Sequence, residues 1–424
     1  ERYGYNILPF MDTLYTGACP DERYDYFKLL SEQIITNFYK PFTEKCHALG
    51  ALSMVECCGS PTDIISAYAS VDVPQTEAIL YEPYNSLIAS SAACMRSKKT
   101  VSTEAFTCIY GFRDEHGYEE ITTDLKLLAD ALFAYGVNHI YWHGMPYNPI
   151  GVDTIAYYAT VHVTPKSKMS KDFKAFNKYM EKVCSLLRQG RTYTDIAVYF
   201  PQEDAWVQGK YPDSLLNSLH KEQLKWTWGA YQTRYVKMPE ELKGYQPLWI
   251  NGEMLEKAEL KNNKLHTGDA VFSALYIDVN YMDYRALKTI AGLAEKGFPV
   301  YLKNPPAEPG KNKHDDYAEL ISKLESKSTG IKAKPLITGD NIPLFLCRQV
   351  KDDYYVFFAN PVSSQITYPV PYGLSLREQE TKEIQLFLHL NGKEKELNLK
   401  FEPNQSLLLK IDNSGNVEYP DIRY

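Results

Sequence analysis

The strongest constraint on this chain is the order of its apolar runs up to about Arg191. Short strand-like runs alternate with longer amphipathic ones. Strands are expected at Ala51–Cys57, Ala67–Val73, Thr100–Phe106 and Asn138–Trp142, and helices at Tyr26–His47, Pro83–Ser97, Thr123–Tyr135 and Lys171–Gln189. In the third helix Leu125, Leu128, Ala129, Leu132 and Phe133 recur at the spacing of one helical face. Strand–helix alternation of this kind demands a parallel sheet, because parallel strands need a crossover between them. Polar side chains gather where these strands end: Glu56, then Asp72 and Glu77, then Glu104, then His143. In a (β/α)8 TIM-type barrel that rim is the active site.

Four strands make only half of such a barrel, with two open edges. The reading is therefore an α/β chain whose residues 1–192 are the C-terminal half of a (β/α)8 barrel carrying the catalytic rim. The missing half is expected before Glu1, in the same protein or in a second chain. From 193 to 331 the order strand, helix, strand ("DIAVYFP", "AVFSALYID", "RALKTIAGLAEKG", "FPVYLKN") predicts a doubly wound, flavodoxin-like domain. It has no G-x-G-x-x-G turn to cradle a nucleotide. From 332 to 424 short runs between Asn-Gly, Pro-Asn and Asn-Ser-Gly turns predict a β-sandwich.

Charge and composition narrow the partners. A net charge of −7 argues against nucleic acid, which needs a basic surface. No run approaches the ~20 apolar residues of a membrane span. The 34 tyrosines suit a sugar-binding cleft, where a ring face and a polar tip are both used, and equally suit strands and interfaces. The eight cysteines contain no C-x-x-C pair, so zinc is not indicated and buried free thiols are expected.

Serine-hydrolase, zincin and P-loop signatures are all absent. Acids at strand ends remain, and they suit glycoside hydrolysis, in which one carboxylic acid protonates the leaving oxygen and one carboxylate activates water or attacks the sugar. Glu104, in "KKTVSTEAFT", is a candidate for that carboxylate, since an acid among apolar neighbours is costly unless it is paired, hydrogen-bonded or given a ligand. Glu56, Asp72 and His143 are expected to hold sugar hydroxyls, with Trp142 and Tyr147 as a stacking face.

The segments "RYGYNILPFMDTL", "HALGALSMVECCGSPTD", "VDVPQTEAI", "VSTEAFT" and "YGVNHIYWHGMPYNP" occur in that order. Together they resemble the α-L-rhamnosidases of glycoside hydrolase family 106. The resemblance implies an inverting, calcium-assisted glycosidase releasing terminal rhamnose or a related sugar. It implies that Glu77 and Glu104 serve water activation and calcium or sugar binding, with Glu77 a calcium ligand. It further implies a general acid upstream of this chain and an extracellular or periplasmic location. Two other readings stay open: a glycan-binding scaffold that has lost its acid, and a retaining β-galactosidase-like enzyme with Glu104 as nucleophile.

Overall fold

A computed structural model describes residues 2–14, 18–78, 82–111, 116, 118–146, 159–208, 236–377 and 380–424. Strands β1 (Met54–Glu56), β2 (Val73–Ala78), β3 (Ser102–Ala105) and β4 (His139–Trp142) form one parallel sheet in chain order. The helices of this part are α1 (Pro20–Ile34), α2 (Lys40–Ala48), α3 (Ile64–Ala69), α4 (Ser86–Met95), α5 (Thr122–Ala134) and α6 (Phe173–Leu187). A π-helical turn over Ile35–Tyr39 joins α1 to α2, so the helix expected over Tyr26–His47 is one continuous rod.

The expected strand at Ala67–Val73 is displaced. Ile64–Ala69 is helical, because the Asp63 carboxylate accepts the Ser66 N–H at 2.9 Å and caps the first turn. The strand starts where that expectation ended, at Val73, and runs through Pro74 to Ala78. Pro74 lies opposite Val55 of β1, and pairing with β3 begins only at Gln75. The missing N–H of proline therefore removes nothing from the β2–β3 ladder.

A second parallel sheet has the order β7 (Leu248–Ile250), β6 (Ile196–Tyr199), β11 (Ala274–Ile277), β12 (Val300–Leu302), the doubly wound arrangement. Its helices are α7 (Gln202–Gln208), α8 (Gly252–Glu256), α9 (Tyr284–Glu295) and α10 (Tyr317–Lys327). The run Ala270–Asp278 is not one strand. Its first part, β10 (Ala270–Phe272), closes a small antiparallel sheet with β8 (Glu259–Lys261) and β9 (Lys264–Thr267), and the chain changes sheets at Ser273. Both parallel sheets share one continuous apolar core. Across it the Trp249 N–H of edge strand β7 donates to the Ser91 hydroxyl of α4 at 3.0 Å.

The C-terminal part is antiparallel. Strands β13 (Ile337–Gly339), β16 (Lys382–Leu390) and β17 (Lys393–Phe401) form one sheet, and β14 (Phe345–Val350), β15 (Asp353–Phe358), β18 (Leu407–Ile411) and β19 (Val417–Glu418) belong to the other. The two enclose a separate core that includes Val356, Phe358, Leu386, Leu397 and Leu409. Between β16 and β17 the turn residues Asn391 and Gly392 have φ of 51° and 74°, the left-handed pair that a two-residue hairpin needs. One edge strand comes from far away in sequence: β5 (Arg191–Thr192) pairs with β14 and stitches the end of the first α/β part to the β part.

Candidate active site on the first parallel sheet

Strand register decides which side chains share a face. In the first sheet Glu56 lies opposite Gln75, Gln75 opposite Ser102, and Ser102 opposite His139. One step up, Glu77 lies opposite Glu104 and Glu104 opposite Tyr141. Because side chains alternate along a strand, Glu56, Glu77, Glu104 and Tyr141 all point to the face away from the helices. Glu77 and Glu104 stand at the C-terminal ends of adjacent strands, with Glu56 on the next strand out.

Just past the end of β3 the backbone turns. Phe106 has φ of 77°, rare for an aromatic residue and a sign of local strain. The turn sends the Phe106 ring into the helix-side core beside Trp142 and Phe176. It also brings the buried Thr107 hydroxyl under the carboxylates. The Thr107 Oγ1 donates to Glu77 Oε1 at a long 3.5 Å and lies 3.0 Å from Nδ1 of His143. The same Nδ1 is 3.5 Å from Glu104 Oε1. His143 is held there by its own N–H, which donates to the Ala105 carbonyl at 3.0 Å.

The three acids have different surroundings. Glu77 is buried, 5% exposed. Glu104 keeps a third of its side chain open (33%), so it is not wedged among apolar neighbours as its sequence context suggests. Glu56 accepts a hydrogen bond from the Cys58 thiol at 2.8 Å. Protein around its carboxyl pushes the pKa of Glu56 up, the Cys58 bond opposes this, and the charge of Glu104 adds to the rise. The residue is still exposed at the outer strand of the sheet, so solvent weakens that push. Burial and the Glu56 charge hold the Cys58 thiol well above its ordinary value, which keeps it a protonated donor. All eight cysteines are free.

Two expected site residues lie elsewhere. Asp72 precedes β2, at the end of the sheet opposite Glu77. Its carboxylate accepts from the Ser53 N–H and Ser53 hydroxyl at 2.8 and 3.0 Å and pairs with His47 at 2.8 Å. Despite the cost of burial, these partners lower its pKa. Asp72 is a loop clamp, displaced from the rim because β2 begins six residues later in the chain than expected. Trp142 is one residue out of phase with Glu104. Its ring packs on Phe106, Phe173 and Phe176, and its Nε1–H donates to Asn177 at 2.9 Å. The aromatic on the carboxylate face is Tyr141, 54% exposed. Tyr147 lies outside the described residues. Thr107, Cys58 and Tyr141 are additions that the sequence reading missed. Only Tyr141 carried a signal there, since strict alternation along His139–Trp142 separates it from Trp142.

Glu77, the expected calcium ligand, lies among the described residues. No group of three or more His, Cys, Asp or Glu among them is arranged to hold a metal ion, while calcium takes six to eight oxygen ligands. Among the described residues no helix is long and apolar enough to cross a membrane.

Comparison with known proteins gives the family and the fold. Residues 1–368 match the model of a family described as alpha-L-rhamnosidase, glycoside hydrolase 106. A curated protein of Formosa agariphila named "Putative beta-glucuronidase" is 26% identical over 208 residues, 46% of this chain and 17% of that protein. The rhamnosidase from Novosphingobium sp. PP1Y superposes with a TM-score of 0.68 at 14% identity, over 96% of this chain and 42% of that one. A β-galactosidase from Bacillus circulans sp. alkalophilus gives 0.55 at 10% identity, over 92% and 68%. These two structures speak for a shared glycoside-hydrolase fold. The chain spans less than half the length of the rhamnosidase and a smaller share still of the curated relative. On the family match, the chain belongs to glycoside hydrolase family 106.

Proposed function

We propose that this chain carries one side of the active site of an inverting glycosidase that releases terminal α-L-rhamnose or a related sugar. The four-stranded sheet is, in this reading, half of a (β/α)8 barrel whose other half supplies the general acid. The observation that carries the reading is the register pairing of Glu77 with Glu104. Neighbouring strands are about 4.8 Å apart, whereas the acid and base of an inverting pair stand ~6.5–9.5 Å apart to admit water. Glu77 and Glu104 therefore serve the same side of the sugar. Glu104, the more open of the two, takes the proton from the attacking water. Glu77 helps to orient that water, and the acid stands across the cleft. Glu56, His143 and Tyr141 line the same face and hold sugar hydroxyls, the Tyr141 ring offering a stacking surface.

The test uses the full-length protein. It should release a monosaccharide from a rhamnosyl or related glycoside, with the first-formed anomer in proton NMR inverted relative to substrate. Glu104→Gln should lower kcat by about 10²–10⁴-fold and leave sugar affinity nearly unchanged, because the amide keeps the shape but cannot take the proton. A retained anomer would make Glu104 a nucleophile instead. Tight glycan binding without turnover, indifferent to Glu104→Gln, would leave only a binding module.

A further inference from the structure

The Thr107 hydroxyl occupies a position that the roles above do not use. It is buried, 1% exposed, and its carbonyl is pinned by the Thr160 N–H at 3.1 Å. A hydroxyl has one proton and two lone pairs. Towards Glu77 the Thr107 hydroxyl is the donor. The lone pairs then face Nδ1 of His143 at 3.0 Å, nearer than Glu104 at 3.5 Å. An imidazole nitrogen facing a lone pair must carry the hydrogen.

We infer that Thr107 is a positioning residue: its hydroxyl accepts the Nδ1 proton of His143 while donating to Glu77. This fixes His143 in the Nδ1–H form. It also draws the imidazole proton off Glu104, whose carboxylate stays available as a base instead of being spent on an ion pair. Three successive strands are linked through one hydroxyl, because Glu77 belongs to β2, Thr107 follows β3 and His143 follows β4. The strained turn at Phe106 is what delivers it. The catalytic part of this inference rests on Glu104 acting as the base.

The experiment is a set of variants of the full-length protein. Thr107→Val keeps the shape and removes the hydroxyl; Thr107→Ser keeps the hydroxyl. Thr107→Val should lower kcat by roughly ten- to a hundredfold, the range of one hydrogen bond to a charged group, with KM within about twofold. Thr107→Ser should restore most of it. In a His143→Gln background Thr107→Val should cost nothing further, since its effect passes through His143. A wild-type rate in Thr107→Val, an equal loss in Thr107→Ser, or losses that multiply in the double variant would overturn the inference. Nitrogen-15 NMR of histidine-labelled protein, with the His143 signal assigned by its loss in His143→Gln, reads the imidazole without any turnover. A His143 Nδ1 resonance that moves in Thr107→Val and returns in Thr107→Ser supports the relay even if no glycoside is cleaved, in which case only the functional reading fails. A resonance that stays put overturns the relay even in an active enzyme.

Discussion

The molecule contains two parallel sheets, both with acids near the C-terminal ends of their strands, and the surroundings of those acids are opposite. On the first sheet Glu104 and Glu56 open to solvent. On the second, the corresponding end is plugged. Glu203, just after β6, is buried and accepts from the Tyr199 hydroxyl at 2.7 Å. Asp283, after β11, accepts from the Tyr24 hydroxyl of α1 at 2.7 Å and pairs with Lys28. Asn251, after β7, donates to the Asp63 cap of α3 at 2.8 Å. In a doubly wound sheet this is where ligands ordinarily bind; here the helices of the first sheet fill the place. Burial is the largest cause of a Glu203 pKa of about 8 and an Asp63 pKa of about 6. An acid at a strand end therefore marks a site only where the rim stays open.

Swapping an amide for the acid on the plugged rim sharpens the contrast most. The Glu203 pKa is raised on folding, so the unfolded chain gives up its proton at lower pH than the folded one. Its protonated form contributes stability that is complete below the unfolded value near 4.5 and is lost as pH rises through about 8. Thermal denaturation of the wild type should thus show a falling Tm across that window. Glu203→Gln should flatten the fall while leaving turnover near wild type, the reverse of what Glu104→Gln does. An unchanged slope would mean that Glu203 titrates normally, and a loss of turnover would put it in the active site.

A smaller contrast separates the two faces of one strand. Trp142→Ala should cost about 2–4 kcal/mol in chemical denaturation, because the ring packs among three phenylalanines. Tyr141→Ala should cost less than about 0.5 kcal/mol and weaken sugar affinity instead. Equal stability losses would contradict the phase assigned to this strand.

The least effect on catalysis belongs to Asp72. Its lowered pKa means the stability it adds is present above about 3.8 and disappears as pH falls through its lower folded value. Asp72→Asn should cost roughly 1 kcal/mol at neutral pH, less in acid, and leave kcat within about twofold. A large drop in kcat would return Asp72 to the rim.

Much of this was legible in the order of residues. Strand–helix alternation dictates a parallel sheet because the crossovers leave no other pairing, and Glu77 and Glu104 stand out as acids in apolar runs. The β part announces itself through turns such as Asn391–Gly392, whose backbone requirement is local. The errors came where a helix cap or a phase of one residue decides. A strand is expected at Ala67–Val73, yet Ala67–Ala69 close the helix Ile64–Ala69, whose first turn the Asp63 carboxylate caps. Trp142 and Tyr141 are adjacent, and only pairing with β3 says which one faces the carboxylates.

What the sequence determined by itself was periodicity and chemistry: three kinds of architecture in order, and which acids were available. Tertiary structure alone decided which acids stay open to solvent. Exposure at the end of a strand depends on whether another part of the chain packs there. Glu104 ends β3 and Glu203 follows β6 in the first turn of α7, yet Glu203 is buried and Glu104 stays partly open to solvent. Nor could linear order place the Thr107 hydroxyl between Glu77 and His143. That juxtaposition needs three strands in register and one backbone turn at Phe106, and neither is encoded within a single segment.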